Sequence, residues 1–264
     1  MPVSRRAELE AAIERRGGPA LPAIEWHESV LSTNDRLKAL ARSGAAEWTV
    51  VAADRQSGGR GREGRRWASP AGGLYLSVLL RPRREAASRL PLAAGVAVAE
   101  AAQEHGVEAQ LKWPNDVLAG GRKLAGILAE AASGADGVEW VVLGIGVNVS
   151  LDEGALPEEL RGTVATLAGE SGRMPATPSV GAAVLSRLAV WYDALGAAPE
   201  RVVAAWRERA VAWWGERIDV RAGRETLSGR LVGIDDEGGL VLVTDGGQMR
   251  RVLSGEVLRV RRAL

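Results

Sequence analysis

Between Arg55 and Arg66 the sequence sets five arginines against a single acid, Glu63, and threads glycines at positions 58, 59, 61 and 64 among them. Arginine is a planar, permanently charged fork suited to carboxylate or phosphate, and glycines let backbone N–H groups close around an anion. Phosphate is the leading ligand for such a loop. Each charge-assisted hydrogen bond contributes roughly 1.5–3 kcal/mol, whereas without an anion the like charges should repel one another. Gly59, Gly61 and Gly64 match a dinucleotide-binding spacing, but that fingerprint must open a helix, and here Trp67, Ser69, Pro70, Gly72 and Gly73 lead into a strand. A protein-kinase glycine loop does join two strands, yet it wants valine where Arg66 stands, and the chain has neither His-Arg-Asp nor Asp-Phe-Gly. Two readings compete with the anion site: a solvated loop without a ligand, and a glycine-arginine RNA segment with Trp67 stacked on a base.

Two other stretches carry polar groups fit for a site. Ser32, Thr33 and Asn34 are all helix N-cap types. Asp35, three residues after Ser32, suggests a weak capping box, and Leu37, Leu40 and Ala41 form one apolar face before Gly44. A helix that begins there presents polar atoms to whatever faces its start. In Lys112-Trp113-Pro114-Asn115-Asp116, Pro114 drives Trp113 to extended backbone and Asn115-Asp116 makes a turn. Those residues alone read as a strand end.

The elements that must hold these residues follow from periodicity and turn chemistry. Helices are expected over Ser4–Arg16, Leu90–His105, Ser179–Leu195 and Pro199–Trp213. Strands are expected near Trp48–Ala53, Leu74–Leu80, Ala109–Trp113, Leu124–Ala129 and Trp140–Val149, so the Gly/Arg loop joins two strands. Alternating strands and helices make an α/β or α+β core. From Ile218 the character changes to five short β runs split by Gly/Asp turns at Asp235–Gly239 and Asp245–Gly247, the rhythm of a small barrel.

Composition removes several classes of function. The 264 residues carry a formal net charge of +1, so a basic footprint for nucleic acid is at most local. With no Cys and two His, thiol nucleophiles, disulfides and Cys/His zinc sites are excluded, and any metal must be a hard ion held by carboxylates or phosphates. The charged N-terminal stretch is not a signal peptide, and no apolar run approaches the ~20 residues of a membrane span. A cytoplasmic protein is expected. One short helix precedes Glu25, whereas a helix-turn-helix needs two, so sequence-specific DNA binding is not expected.

Taken together, Lys112-Trp113-Pro114-Asn115-Asp116, Gly121-Arg122-Lys123-Leu124-Ala125-Gly126-Ile127-Leu128 and the Gly/Arg loop resemble the catalytic domain of biotin protein ligases. Ser32-Thr33-Asn34, Gln56 before the loop, and Gly144-Ile145-Gly146-Val147-Asn148 add to the resemblance in the same order along the chain. The likeness runs from about Glu25 to the C-terminus, where Gly233-Ile234-Asp235 and Gly255-Glu256-Val257 are similar to the family's SH3-like barrel. It implies an α+β fold: a mixed β-sheet with flanking helices, like class II aminoacyl-tRNA synthetases, plus that barrel. The implied division is residues 1–215 for the biotin/ATP-binding domain, with residues 1–20 a helical extension, and 216–264 for the barrel.

The family makes biotinoyl-AMP from biotin and ATP with Mg²⁺, then transfers biotin to one lysine of a biotin carboxyl carrier protein. The resemblance implies the form that lacks a DNA-binding domain, with no nucleic-acid or membrane partner; a homodimer stays open. It places Ser32, Thr33, Asn34, Gln56, Arg60, Gly61, Arg62, Lys123 and Gly126 around biotin, and Arg62, Trp67, Asn115, Lys123 and Asn148 around the nucleotide. Arg60, Lys123 and Asp116 would carry the chemistry, Asp116 either accepting a proton from the acceptor lysine or holding Lys123. Mg²⁺ would be held mainly by phosphates. Leu151–Thr163 would cover the adenine, and Glu63 would tie the loop to a neighbouring arginine. Two rival functions remain: a lipoate ligase, which shares the core, and a nucleic-acid-binding module using the Gly/Arg loop.

Overall fold

A computed structural model describes residues 4–134 and 137–261. In chain order, the elements are α1 (Arg5–Arg15), β1 (Ile24–His27), α2 (Thr33–Arg42), β2 (Val50–Ala53), β3 (Gly73–Leu80), α3 (Arg84–Ala87), α4 (Leu90–Glu104), β4 (Gln110–Lys112), β5 (Asp116–Ala119), β6 (Arg122–Gly134) and β7 (Gly137–Asn148). There follow α5 (Leu167–Ser171), α6 (Thr177–Ala197), α7 (Pro199–Arg209), β8 (Arg217–Ala222), β9 (Glu225–Ile234), β10 (Leu240–Thr244), β11 (Met249–Val252) and β12 (Glu256–Arg261). The first seven strands form one sheet in the order β1-β2-β3-β7-β6-β5-β4, parallel between β1 and β2 and antiparallel elsewhere. That is the mixed sheet expected from the sequence.

Side-chain alternation decides what each face of this sheet does. On one face, Leu76 and Val78 of β3 and Leu143 and Ile145 of β7 pack with α4 and α6 in the main core. The other face splits. At one end Leu79, Val142 and Trp140 meet Leu37 and Ala41 of α2; beyond them Ser77, Gly144 and Gly146 alternate onto the same face and line a cleft or its wall. β3 is buried along its whole length because both faces are covered, which explains its near-continuous apolar run.

β8 to β12 form a second, antiparallel sheet in the order β11-β10-β9-β8-β12. All five β runs read from the sequence are present, but among the described residues no pairing joins β11 to β12, so the expected barrel is an open sheet at that seam. It is no loosely tethered appendage. Ile218, Val220, Leu240 and Leu242 belong to the same buried cluster as the main core, and Trp113 Nε1 donates to Gly238 O at 3.0 Å.

Three local expectations change. α7 stops at Arg209 instead of reaching Trp213, because Val211 N donates to Leu111 O at 3.0 Å and draws the chain along the edge at β4. Asp116 opens β5, a strand absent from the sequence reading. Ser32 caps α2 by accepting from Asp35 N at 3.4 Å, but the Asp35 carboxylate does not return the bond; it faces Arg60 and Lys38, so no capping box forms.

Candidate active site

A cleft of about 280 Å³ opens on the α2 face of the sheet, and all thirteen site residues named from the sequence line it. One end of it is built at the start of α2. Thr33 N donates to Gln56 Oε1 at 2.9 Å, with Thr33 Oγ1 lying 3.1 Å from the same oxygen, and Gln56 Nε2 donates to Ser69 Oγ at 3.0 Å. Ser77 Oγ lies 2.8 Å from Thr33 Oγ1 and 2.6 Å from Asn34 Oδ1. Ser32, Thr33, Asn34 and Ser77 are all buried. Capping and lining coexist at Ser32.

The middle of the cleft depends on the glycines of β6 and β7. A Cβ at Gly144 would sit 2.3 Å from Asn34 Oδ1, and one at Gly146 would sit 2.7 Å from Trp67 Nε1. Only glycine lets those side chains lie against the sheet. The Trp67 ring also covers Gly126, and its Nε1 is buried without a hydrogen-bond partner. Lys123 Nζ stands 5.1 Å from the Trp67 ring centroid and 2.7 Å from Asp116 Oδ1. Of the two roles open for Asp116, the second is visible: it holds Lys123.

The Lys123 main chain is clamped on two sides. Its N donates to Thr163 O and its O accepts from Ala165 N, each at 2.9 Å, and Asn148 Nδ2 donates to the same Lys123 O at 2.9 Å. Asn148 therefore braces the strand that carries Lys123. Leu156 and Leu160, from the segment expected to cover adenine, form an apolar wall beside it together with Val164, the residue that follows that segment. Asn115 is likewise a brace, its Nδ2 donating to Ile127 O at 2.7 Å.

The Gly/Arg loop closes on itself as a small hairpin. Gly61 N donates to Arg65 O at 2.7 Å and Trp67 N donates to Gly59 O at 3.0 Å. At Gly61 and Trp67 the main-chain donors are thus engaged, and an anion there would meet side chains instead. Acids outside the loop offset part of the expected self-repulsion. Arg60 pairs with Asp35 at 2.7 Å and Glu130 at 2.8 Å, and Arg65 pairs with Glu256 at 2.5 Å. Glu63 sits exposed at the tip, so the tie expected from it is made by Asp35, Glu130 and Glu256. Arg62 reaches the second sheet, donating to Ser254 Oγ at 2.8 Å and Gly255 O at 3.2 Å. Burial lowers the pKa of Arg62, with the Arg65 charge acting the same way and Glu63, Asp116 and Glu256 opposing it. The side chains of Arg259 and Arg261, the two C-terminal candidates to reach the cleft, lie outside the described set.

Among the described residues no group of three or more His, Cys, Asp or Glu side chains is arranged to hold a metal. Asp116 and Glu256, the cleft's carboxylates, are each paired with cations. Neither of these two carboxylates could serve a magnesium ion without leaving its cation. Among the same residues no helix is long and apolar enough to cross a membrane.

Residues 26–148 match the Biotin/lipoate A/B protein ligase family, and residues 214–260 match the Biotin protein ligase C terminal domain. The chain belongs to the biotin protein ligase family. It is 37% identical over 228 residues to the biotin--[acetyl-CoA-carboxylase] ligase of Paracoccus denitrificans, covering 82% of this chain and 92% of that one. It is 34% identical over 239 residues to the bifunctional ligase/repressor BirA of Bacillus subtilis, covering 88% of this chain and 72% of the relative. The biotin protein ligase of Aquifex aeolicus solved with biotin and ATP superposes with a TM-score of 0.77 at 32% identity, covering 92% of this chain and 100% of that one.

Several residues of this site were not found by reading motifs. Ser77 and Glu130 are the main ones. Each left a signal: Ser77 is a lone hydroxyl inside a buried apolar strand, and Glu130 falls two and four places after Leu128 and Gly126, on the same strand face. Ser254 and Glu256 left none, because their contact with the loop joins parts of the chain almost two hundred residues apart.

Proposed function

We propose that the protein activates biotin with ATP to biotinoyl-AMP and transfers biotin to a lysine of a biotin carboxyl carrier protein. The observation that carries this reading is the order of chemistries along one cleft. A neutral hydrogen-bonding end suits a ureido ring, glycine strands under Trp67 suit a flat apolar body, and Lys123 with the arginines suits a carboxylate and phosphates. The match to the biotin-specific C-terminal domain favours biotin over lipoate. Nucleic-acid binding is disfavoured by the loop itself, because Arg60 and Arg65 face acids and Trp67 packs on the sheet. The chain divides at residues 1–215 and 216–264, the second unit bracing the loop through Ser254, Gly255 and Glu256.

In the first step a biotin carboxylate oxygen attacks the α-phosphorus of ATP and pyrophosphate leaves. Lys123 and the loop arginines offset the repulsion between the two anions, a fixed-charge effect that needs no side-chain nucleophile. Magnesium would arrive on the ATP phosphates and neutralise part of their charge. In the second step the ε-amine of the carrier lysine attacks the carbonyl carbon, the C–O bond to phosphate breaks, and AMP leaves. Once Lys123 turns from Asp116 to the anion, the freed carboxylate can take the proton that the attacking amine loses.

The test is biotin-dependent pyrophosphate release from ATP, run beside lipoate and octanoate, with the acyl adenylate identified by mass. Biotinoyl-AMP as the sole adenylate is the expected result. Turnover with lipoate or octanoate instead would reassign the acid, and no turnover with any of them would leave only a binding role.

A further inference from the structure

Glu130 stands behind the proposed acid-binding end and is not among the thirteen site residues named from the sequence. Strand alternation puts it on the cleft face of β6 with Gly126 and Leu128. Its Oε2 accepts from Asn34 Nδ2 at 2.8 Å and from Arg60 Nη2 at 2.8 Å, and its Oε1 accepts from Lys38 Nζ at 3.0 Å. Burial opposes ionisation of this carboxyl, but the hydrogen bonds from Asn34 and Lys38 and the charges of Lys38 and Arg60 hold its pKa below the ordinary value.

An ionised carboxylate can only accept, so Asn34 must turn its NH₂ group toward Glu130. The amide oxygen of Asn34 then faces Ser77, whose Oγ is 2.6 Å away. Ser77 has one hydroxyl proton. Giving it to Asn34 leaves Ser77 an acceptor toward Thr33 Oγ1, which spends its own single proton there, so that toward Gln56 Oε1 Thr33 donates from its main-chain N. One charge at the edge of the network therefore sets the direction of the bonds along Asn34, Ser77 and the Thr33 hydroxyl. A ureido group carries one acceptor oxygen and two N–H donors, so a wall with fixed polarity can sort it. A wall in which Asn34 flips cannot.

We propose that Glu130 is a positioning residue for the acid substrate: it locks the Asn34 amide with nitrogen toward β6 and oxygen toward Ser77, and ties that wall to Arg60 at the root of the Gly/Arg loop. This rests on the reading that the cleft binds biotin. The same carboxylate thus serves the neutral end and the charged loop together.

The experiment is calorimetric titration of the full chain with biotin alone, with KM and kcat for pyrophosphate release as the second readout. Glu130→Met keeps the length of the side chain and removes the acceptor. It is expected to raise the Kd for biotin about tenfold or more. The biotin KM should rise in parallel, with kcat at saturating biotin within about threefold of wild type. Glu130→Gln, whose amide oxygen can still accept from Asn34, should recover most of the affinity. A purely structural role would lower Tm without this KM-selective loss or the recovery. Should Glu130→Met fail to fold, the double exchange Asn34→Asp with Glu130→Gln restores a donor–acceptor pair with its direction reversed, and is expected to fold without regaining biotin affinity. Wild-type affinity in folded Glu130→Met or in the double exchange would overturn the proposal, as would Glu130→Gln being as deficient as Glu130→Met. A wild-type chain that binds no biotin would instead sink the proposed function, and this inference with it.

Discussion

At the α2 end of the cleft, the proposed acid end, Thr33, Asn34 and Ser77 are 4%, 4% and 0% exposed and are joined by uncharged hydrogen bonds. Along the Gly/Arg loop, Arg60 and Arg65 have side chains 38% and 50% exposed and are held by ion pairs. The two regions respond differently to disturbance. Stranding a buried polar group costs about 1–3 kcal/mol, whereas an exposed ion pair contributes about 0–1 kcal/mol and weakens as salt rises. The acid end is thus preformed and the loop detachable. The chemistry asks for that division, because a small neutral ring must be recognised by fixed polar groups, and the reactive adenylate must be enclosed and later exposed to a carrier.

The largest effect should come where the two regions meet, at Lys123. Lys123→Ala is expected to reduce kcat for pyrophosphate release by about 10²–10³-fold, the range seen when one stabilising donor is removed from a developing charge. Tm should barely move, since the strand at residue 123 is held through its main chain by residues 148, 163 and 165. A wild-type rate in this variant would remove the charged half of the cleft from catalysis.

Arg62→Gly sharpens the contrast further. It unpins the loop from Ser254 and Gly255 while leaving the Thr33–Gln56 network untouched. Adenylate should escape into solution and label lysines at random, to an extent that exceeds any loss of biotin affinity from the missing Arg62 side chain. A release assay showing undiminished retention would mean that the loop does not enclose the intermediate.

The same division explains what could be read from the sequence. Most sheet strands and α2 were legible because local signals mark them, apolar alternation and N-cap residues, whereas the thirteen cleft residues were named through the family resemblance of their motifs, since Lys112–Asp116 read alone is only a strand end. β5 was hidden inside what reads as a turn, since four residues beginning with Asp116 carry too little pattern to separate a strand from a loop end. The acids that neutralise the loop were misassigned to Glu63, the nearest one in sequence. Asp35, Glu130 and Glu256 do that work, and their sequence separations from the loop put them out of reach of any local rule. The open seam of the second sheet was equally invisible, because five β runs with turns between them look the same whether or not the edges pair.

The smallest effect isolates one tether. Glu256 accepts from Arg65 at 2.5 Å and from Arg221 at 2.6 Å. Burial alone would raise its pKa, but those two hydrogen bonds and charges hold it below the usual value. With the folded value depressed, the tether contributes fully above the unfolded carboxyl value of about 4.3, and is lost as pH falls through the lower folded value. Glu256→Gln should flatten that acid limb of the stability curve. At neutral pH it should leave the pyrophosphate rate near wild type and raise adenylate escape by a few-fold, as the loss of an exposed pair worth up to about 1 kcal/mol allows. Salt gives the internal control. Wild-type escape should climb with ionic strength toward the level of the variant, and escape from Glu256→Gln should depend on salt less steeply. If both respond to salt alike, the Arg65–Glu256 pair is not what restrains the loop, and the anchorage of Arg62 on Ser254 and Gly255 carries the closure alone.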